Sequence, residues 1–424
     1  MKQLRTILLT ILGAAVFMAG CKKYETAPQV AGPAYMRVFN DLTTTINVFN
    51  SAQTQPFLTF LMDPNTGADG VPTDAGVIGD YMTTRLLFSK SFPSNEANSS
   101  IGNGTIGPLD VPDQPVLYPQ NYEYPGNARV PAAPVINGFD LSSWAQVPAG
   151  KHRMMFVVRP QNGTPFKQLS QAQRGIILLD TTVDFEKGEV YTLEVVSRDL
   201  DKGKYGLYVR KENFIHQTFD EDRIYAGFVN LSGVTPADSA NGTGFYFPRK
   251  VKINSTYFLP NDAKAGNATG NSVFDPMPDY NNIYLTTINT KMGTDIDYSS
   301  FPTLPASSFF KQGALRNYGE PNGFTPITQL GNIPYVSFTL VDADAPIIYL
   351  PQIGFQLDCY ADPSVINNYN ANTTEVIYYQ PSLNLLANIN GTYHVYGTVN
   401  IMELVYNRVY MMQIKWGIND LPSN

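Results

Sequence analysis

Val190-Tyr191-Thr192-Leu193-Glu194-Val195-Val196-Ser197, then Arg198-Asp199-Leu200-Asp201-Lys202-Gly203-Lys204, then Tyr205-Gly206-Leu207-Tyr208-Val209-Arg210 carries the clearest fold signal in the chain. Two runs rich in β-branched and aromatic residues flank a polar turn, and Gly203 can take the positive φ that such a turn requires. The spacing predicts a β-hairpin over Val190–Arg210. A second hairpin is predicted at the end of the chain, where Tyr393–Tyr406 and Val409–Trp416 flank Asn407-Arg408.

Working outward, period-two patterning recurs along the whole chain and helical periodicity is nearly absent. Strands are predicted at Tyr35–Asn40, Thr45–Phe49, Thr83–Phe88, Arg153–Arg159, Ile224–Asn230, Lys250–Phe258, Ile283–Ile288, Tyr335–Val341 and Glu375–Tyr379. The one helix candidate, Ser170–Arg174, is short. Many short strands separated by turn signals predict an all-β protein of two tandem antiparallel β-sandwich (Ig-like) domains with long loop insertions. Ala34–Asn40 and Ile224–Asn230 are each a strand closing on Asn, and each precedes a Tyr-rich hairpin by a similar distance. This repeat places domain 1 at 34–219 and domain 2 at 222–424, with the boundary at the acidic Asp220-Glu221-Asp222.

The N-terminus supplies an address. Lys2 and Arg5 precede an apolar run, Ile7–Met18, too short to span a bilayer. Met18-Ala19-Gly20-Cys21 resembles the lipobox of bacterial lipoproteins, with Met where Leu is usual. The resemblance implies a signal peptide over 1–20, acylation of Cys21 and a lipid-anchored mature protein, and the polar, Pro-containing 21–33 reads as its tether. Several acyl chains on one residue hold a bilayer stably. The expected location is the outer membrane of a bacterial envelope. Lys22 and Lys23 with a lone Glu25 do not make an acidic run, so the periplasmic and surface faces both stay open. With Cys21 lipidated, Cys359 has no partner for a disulfide and reads as a small buried hydrophobe.

Three further segments carry a resemblance. Ala34–Asn40, Val147-Pro148-Ala149-Gly150-Lys151-His152 and Phe185-Glu186-Lys187-Gly188-Glu189-Val190-Tyr191-Thr192-Leu193 resemble an uncharacterised extracytoplasmic domain common in envelope lipoproteins of Bacteroidota-type bacteria. Its pattern is an opening A-x-x-R-V-x-N strand, a V-P-A-G turn and a closing G-x-x-Y-T strand. The motifs cover roughly 34–210, and the second half matches only at its start and at Asn390-Gly391-Thr392-Tyr393. The resemblance implies an envelope β-sandwich and no assigned activity; 90–137 is an insertion relative to the family core.

Composition narrows the functional classes. Among 424 residues, Lys+Arg 29 against Asp+Glu 36 gives a net charge of −7 without basic clusters, which speaks against nucleic acid as a partner. Only His152, His216 and His394 are present, and no zinc, P-loop, dinucleotide or nucleophile-elbow spacing occurs. No catalytic residue, metal site or cofactor is predicted; a hydrolase built on scattered acids is the weakest of the readings carried. The D-x-D pairs at Asp199/Asp201, Asp295/Asp297 and Asp342/Asp344 read as turns rather than calcium loops.

The long Pro/Asn/Tyr segments are the candidate binding surfaces. The insertion 90–137 holds eight prolines with Tyr118, Tyr122 and Tyr124. Similar loops carry Phe274 and Tyr280 (260–282) and Tyr318 (298–332). Planar rings on stiffened loops suit sugar faces, and Asn amides suit hydroxyls. The leading expectation is a non-catalytic binding or accessory module for a glycan or a partner outer-membrane protein. The alternative is a structural, adhesin or pilus-type subunit that assembles through sheet edges. Asp180-Thr181-Thr182 and Asp238-Ser239-Ala240 resemble a D-[S/T]-apolar O-glycosylation pattern, which implies Thr181 and Ser239 as acceptors.

Overall fold

The computed structural model describes residues 30–43, 56–83, 85, 123–126, 128–200, 202–220, 223–233, 250–260, 274–276, 281–289, 296–302, 335–343, 382–384, 387–389, 392–394, 398–406 and 408–416. These residues form an all-β protein. Sheet I runs β3–β2–β6–β7, comprising β2 (Leu58–Thr66), β3 (Pro72–Met82), β6 (Gly150–Val158) and β7 (Ile177–Phe185). Sheet II is built on β1 (Pro33–Asp41), β8 (Val190–Asp199) and β9 (Lys204–Lys211), with β4 (Glu123–Tyr124) and β5 (Ala145–Pro148) both paired to β1. Sheet III runs β14–β10–β19–β20, comprising β10 (Arg223–Asn230), β14 (Tyr298–Pro302), β19 (Thr398–Val405) and β20 (Arg408–Lys415). Sheet IV contains β11 (Lys250–Pro260), β12 (Phe274–Pro276), β13 (Ile283–Asn289), β15 (Tyr335–Asp342) and β16 (Ser382–Asn384). A small hairpin joins β17 (Ala387–Ile389) to β18 (Thr392–His394).

Pairing is mixed rather than purely antiparallel. β1 and β8 run parallel (Tyr35↔Val190 through Asp41↔Val196), as do β10 and β19 (Tyr225↔Val399 through Asn230↔Leu404). Between β1 and β8 the chain passes through sheet I and adds β4 and β5 beside β1; a connection this long permits a parallel pair, which a tight hairpin cannot make. The two predicted hairpins are antiparallel, β8 with β9 and β19 with β20. The terminal turn falls one residue earlier than the sequence reading, because Val405 pairs with Arg408 and Tyr406 takes φ 56°.

Of the expected strand Thr83–Phe88, the described residues Thr83 and Arg85 lie outside any strand, since β3 ends at Met82, and the rest falls outside the described residues. Arg85 instead donates its N–H to the Asn40 carbonyl at 2.9 Å. Thr45–Phe49 and Glu375–Tyr379 lie outside the described residues. The predicted helix exists as α1 (Gln171–Arg174), started by Ser170 in a capping box with Gln173.

The two opening strands end alike. Asn40 Oδ1 accepts from the Leu42 N–H (3.3 Å) while its Nδ2 donates to the carbonyls of Pro56 (2.9 Å) and Met82 (3.0 Å). Asn230 Oδ1 accepts from the Ser232 N–H (2.9 Å), and its Nδ2 donates to the Asn289 carbonyl (2.5 Å). Each Asn thus closes a local Asx turn and holds the end of a strand in the facing sheet, a task that needs both donor and acceptor on a short side chain.

Sheet II is buried on both faces. Met36, Val38, Tyr191, Leu193 and Val195 join sheet I's Leu58, Phe60, Met154 and Phe156 in one core. The alternate residues, Tyr35, Phe39, Val190, Val196 and Tyr208, join a second core with Tyr225, Val399, Ile401, Tyr410 and Trp416 of sheet III. Sheet III in turn meets sheet IV, with Phe228 and Phe338 rings 5.8 Å apart. Among the described residues no strand ladder crosses from 33–211 to 223–415, yet a shared apolar core does.

Candidate functional site

Alternation along β1 places Tyr35, Arg37, Phe39 and Asp41 on the face toward sheet III. Thr192 and Glu194 of β8, Arg210 of β9 and Glu212 just beyond it share that face, and Glu403 of β19 faces them. All but Tyr35 are at most 1% exposed, and Tyr35 is itself buried. Arg37 donates through Nε (3.0 Å) and Nη2 (2.6 Å) to Glu123 Oε2. Arg210 reaches Glu194 (Nη1, 3.1 Å), Glu212 (Nε, 3.0 Å) and Glu403 (Nη2, 2.5 Å). Arg85 donates to the other oxygen of Glu403, and Thr192 Oγ1 donates to Glu212 at 2.5 Å. Charges this deep persist only when paired and hydrogen-bonded.

Aromatic rings complete the enclosure. Arg85 lies 3.7 Å from the Phe39 ring centroid and 5.1 Å from that of Tyr410; Arg37 lies 4.5 Å from Phe39 and 5.4 Å from Trp144. Two guanidinium groups thus lie against the Phe39 ring. Glu194 and Glu403 hold the same register in their halves: Phe39 pairs with Glu194 and Glu194 with Tyr208, as Val229 pairs with Glu403 and Glu403 with Tyr410. The repeat thus brings two equivalent carboxylates face to face.

The network's acids respond differently to one environment. Burial pushes the Asp41 carboxyl up to about 7, with Arg85 only partly opposing it. Burial also raises Glu194 well above the usual range against the pull of Arg210, and it raises Glu123 and Glu212 against Arg37 and Arg210 respectively. Glu403 goes the other way: burial would raise it, but Arg85 and Arg210 outweigh that and hold it down at about 2.

The predicted contact residues separate. Tyr124 is corrected: it is 1% exposed in β4, paired with Val38, its ring 5.5 Å from Phe60, so it packs the core and offers no face to a ligand. The end of the 90–137 insertion is likewise packed, with Ala133 and Tyr124 buried. Phe274 begins β12. Tyr118, Tyr122, Tyr280, Tyr318, Ser239, Cys21 and Cys359 lie outside the described residues. Thr181 is exposed on β7, opposite Met154, while neighbouring Asp180 is paired with Arg153 at 2.6 Å. His152 Nδ1 lies 2.6 Å from Asp63 and His216 Nε2 lies 2.8 Å from Glu189, each a local pair. Asp199 accepts from the Lys202 N–H (3.2 Å) and Nζ (3.1 Å), the turn role expected of that D-x-D.

Sequence reading missed the network itself. The available signal was charge on strand faces otherwise largely apolar: Arg37 between Tyr35 and Phe39, and Glu194 between Thr192 and Val196. Among the described residues, no helix is long and apolar enough to cross a membrane. No family model and no curated protein matches the chain.

Proposed function

We propose that the chain is a lipid-anchored envelope protein, attached through Cys21, whose two β-sandwich units form a rigid mount for a non-catalytic binding segment directed at a glycan. One observation carries this reading: both ends of segment 86–122 are fixed in the buried network. Arg85 is clamped by Glu403 and the Phe39 and Tyr410 rings, and Glu123 is clamped by Arg37. Flanks held in this way lower the ordering cost when the residues between them bind a ligand. Tyr118 and Tyr122 fall within that segment; Tyr124 falls outside it and serves as a packing control.

The test is retention on a panel of immobilised polysaccharides. Wild type is expected to bind at least one, and the Tyr118→Ala/Tyr122→Ala double variant to lose retention at unchanged melting temperature. Tyr124→Ala should instead cost about 3–5 kcal/mol of stability, as for other large core aromatics. Equal retention by wild type and the double variant refutes the binding role of 86–122. Mass spectrometry of native material lacking fatty-acid mass refutes the anchor.

A further inference from the structure

Asp41, Glu194 and Glu403 each bring a carboxylate oxygen within 4.8 Å of the other two, and all three side chains are fully buried. For any three points so spaced there is a position no farther than about 2.8 Å (4.8 Å divided by √3) from each. That is close to the roughly 2.3–2.6 Å at which calcium takes oxygen ligands. Two separate observations point to something occupying that position. Neither oxygen of Asp41 has a hydrogen-bond donor, and Arg85 Nη1 stands 3.8 Å away, beyond hydrogen-bond reach; Glu194 Oε2 is likewise without a donor. The network also fails to balance: Arg37, Arg85 and Arg210 face Glu123, Asp41, Glu194, Glu212 and Glu403, an excess of two negative charges when all are ionised.

We propose that Asp41, Glu194 and Glu403 form a buried site for one hard divalent cation, lodged between sheets II and III. Three carboxylates and no nitrogen or sulfur donor select a cation of the calcium or magnesium class, and the spacing favours the larger ion. The ion supplies the two positive charges the arginines leave unmatched. It engages Asp41 at the end of β1, Glu194 on β8 and Glu403 on β19, and so ties the N-terminal half to the C-terminal half. Arg85 and Arg210 stay on Glu403, and neither makes a hydrogen bond to Asp41, although Arg85 Nη1 stands 3.8 Å from it. The site is unrelated to the D-x-D pairs of the sequence.

The experiment is calcium binding by the full chain, refolded from urea with and without calcium so that the buried position can be reached. Equilibrium dialysis at about 5 mM, several times the roughly 10⁻⁴–10⁻³ M dissociation constants of extracellular calcium modules, should give one calcium per chain. Thermal melting should shift upward with calcium and fall back with chelator. Asp41→Asn keeps size and shape while removing the ligand charge; it should abolish both the bound calcium and the shift. Glu194→Gln serves the same purpose should Asp41→Asn not fold. A wild-type chain that folds with no calcium bound and no thermal response overturns the proposal and leaves protons as the balancing charge. Calcium retained in full by the folded variants overturns it as well, by placing the ion elsewhere.

Discussion

Replacing Arg210 with Leu tests whether the two halves are joined through charge. Arg210 contacts three carboxylates, Glu194 at 3.1 Å, Glu212 at 3.0 Å and Glu403 at 2.5 Å, and its side chain is 1% exposed. Removing one member of a buried ion pair costs about 3–5 kcal/mol, because the partner is left charged in the interior. After Arg210→Leu, Glu403 keeps Arg85 and Glu212 keeps Thr192, while Glu194 loses its only arginine. The loss should therefore sit near the upper end, about 5 kcal/mol, against a total stability of roughly 5–15 kcal/mol for a typical domain. Urea denaturation followed by far-UV circular dichroism and by tryptophan emission is the assay. Trp144 and Trp416 both lie in the core shared by the two halves, so their emission reports on the junction itself. Arg210→Lys, which keeps the charge without the fork, should lose about half as much. A cost below about 1 kcal/mol for Arg210→Leu, or wild-type emission changing in a transition separate from the dichroism, would refute the view that this network welds the halves.

Two other predictions follow from the same residues. Folded Asp41 holds its proton to about pH 7, whereas the unfolded chain releases it near 3.8; between those values the folded state binds more protons, so stability falls as pH rises. In chelator, Asp41's share of the fall from about pH 4 to about pH 7 should be at most on the order of 4 kcal/mol, and Asp41→Asn should remove that share; Glu194, Glu123 and Glu212, raised by the same burial, act in the same direction. Glu403 opposes this only at the acid end, its contribution being lost as pH drops from 4.5 toward about 2. Asn40→Ala should cost about 2–4 kcal/mol and Asn230→Ala clearly less, since Asn40 donates to two carbonyls and Asn230 to one. Equal losses in chemical denaturation would count against the assigned bonds.

Much of the β architecture was legible because strand alternation is a local property. β8, β10 and β15 carry β-branched or aromatic residues at half or more of their positions, and β9 and β11 at somewhat fewer. β2 and β3 escaped notice for an equally local reason: Asp63-Pro64-Asn65 interrupts one, Gly76 and Gly79 dilute the other, and these residues signal turns. Parallel pairing of β1 with β8 was hidden because it depends on where the chain goes in between. The network was hidden more deeply. Arg37 and Asp41 read as a solvent face until sheet III is placed over them, and that placement is a property of the other half of the chain. Tyr124 shows the converse, a residue that looked like loop yet pairs with Val38.

The pinned ends of 86–122 have a consequence for engineering. Since Arg85 and Glu123 are both seated beside Phe39, the span between them is already closed, and doubling a closed loop's length costs only about 0.6 kcal/mol. Foreign peptides of widely differing length should thus be graftable there while the sheets beneath keep their melting behaviour, turning this part of the molecule into an exchangeable display cassette.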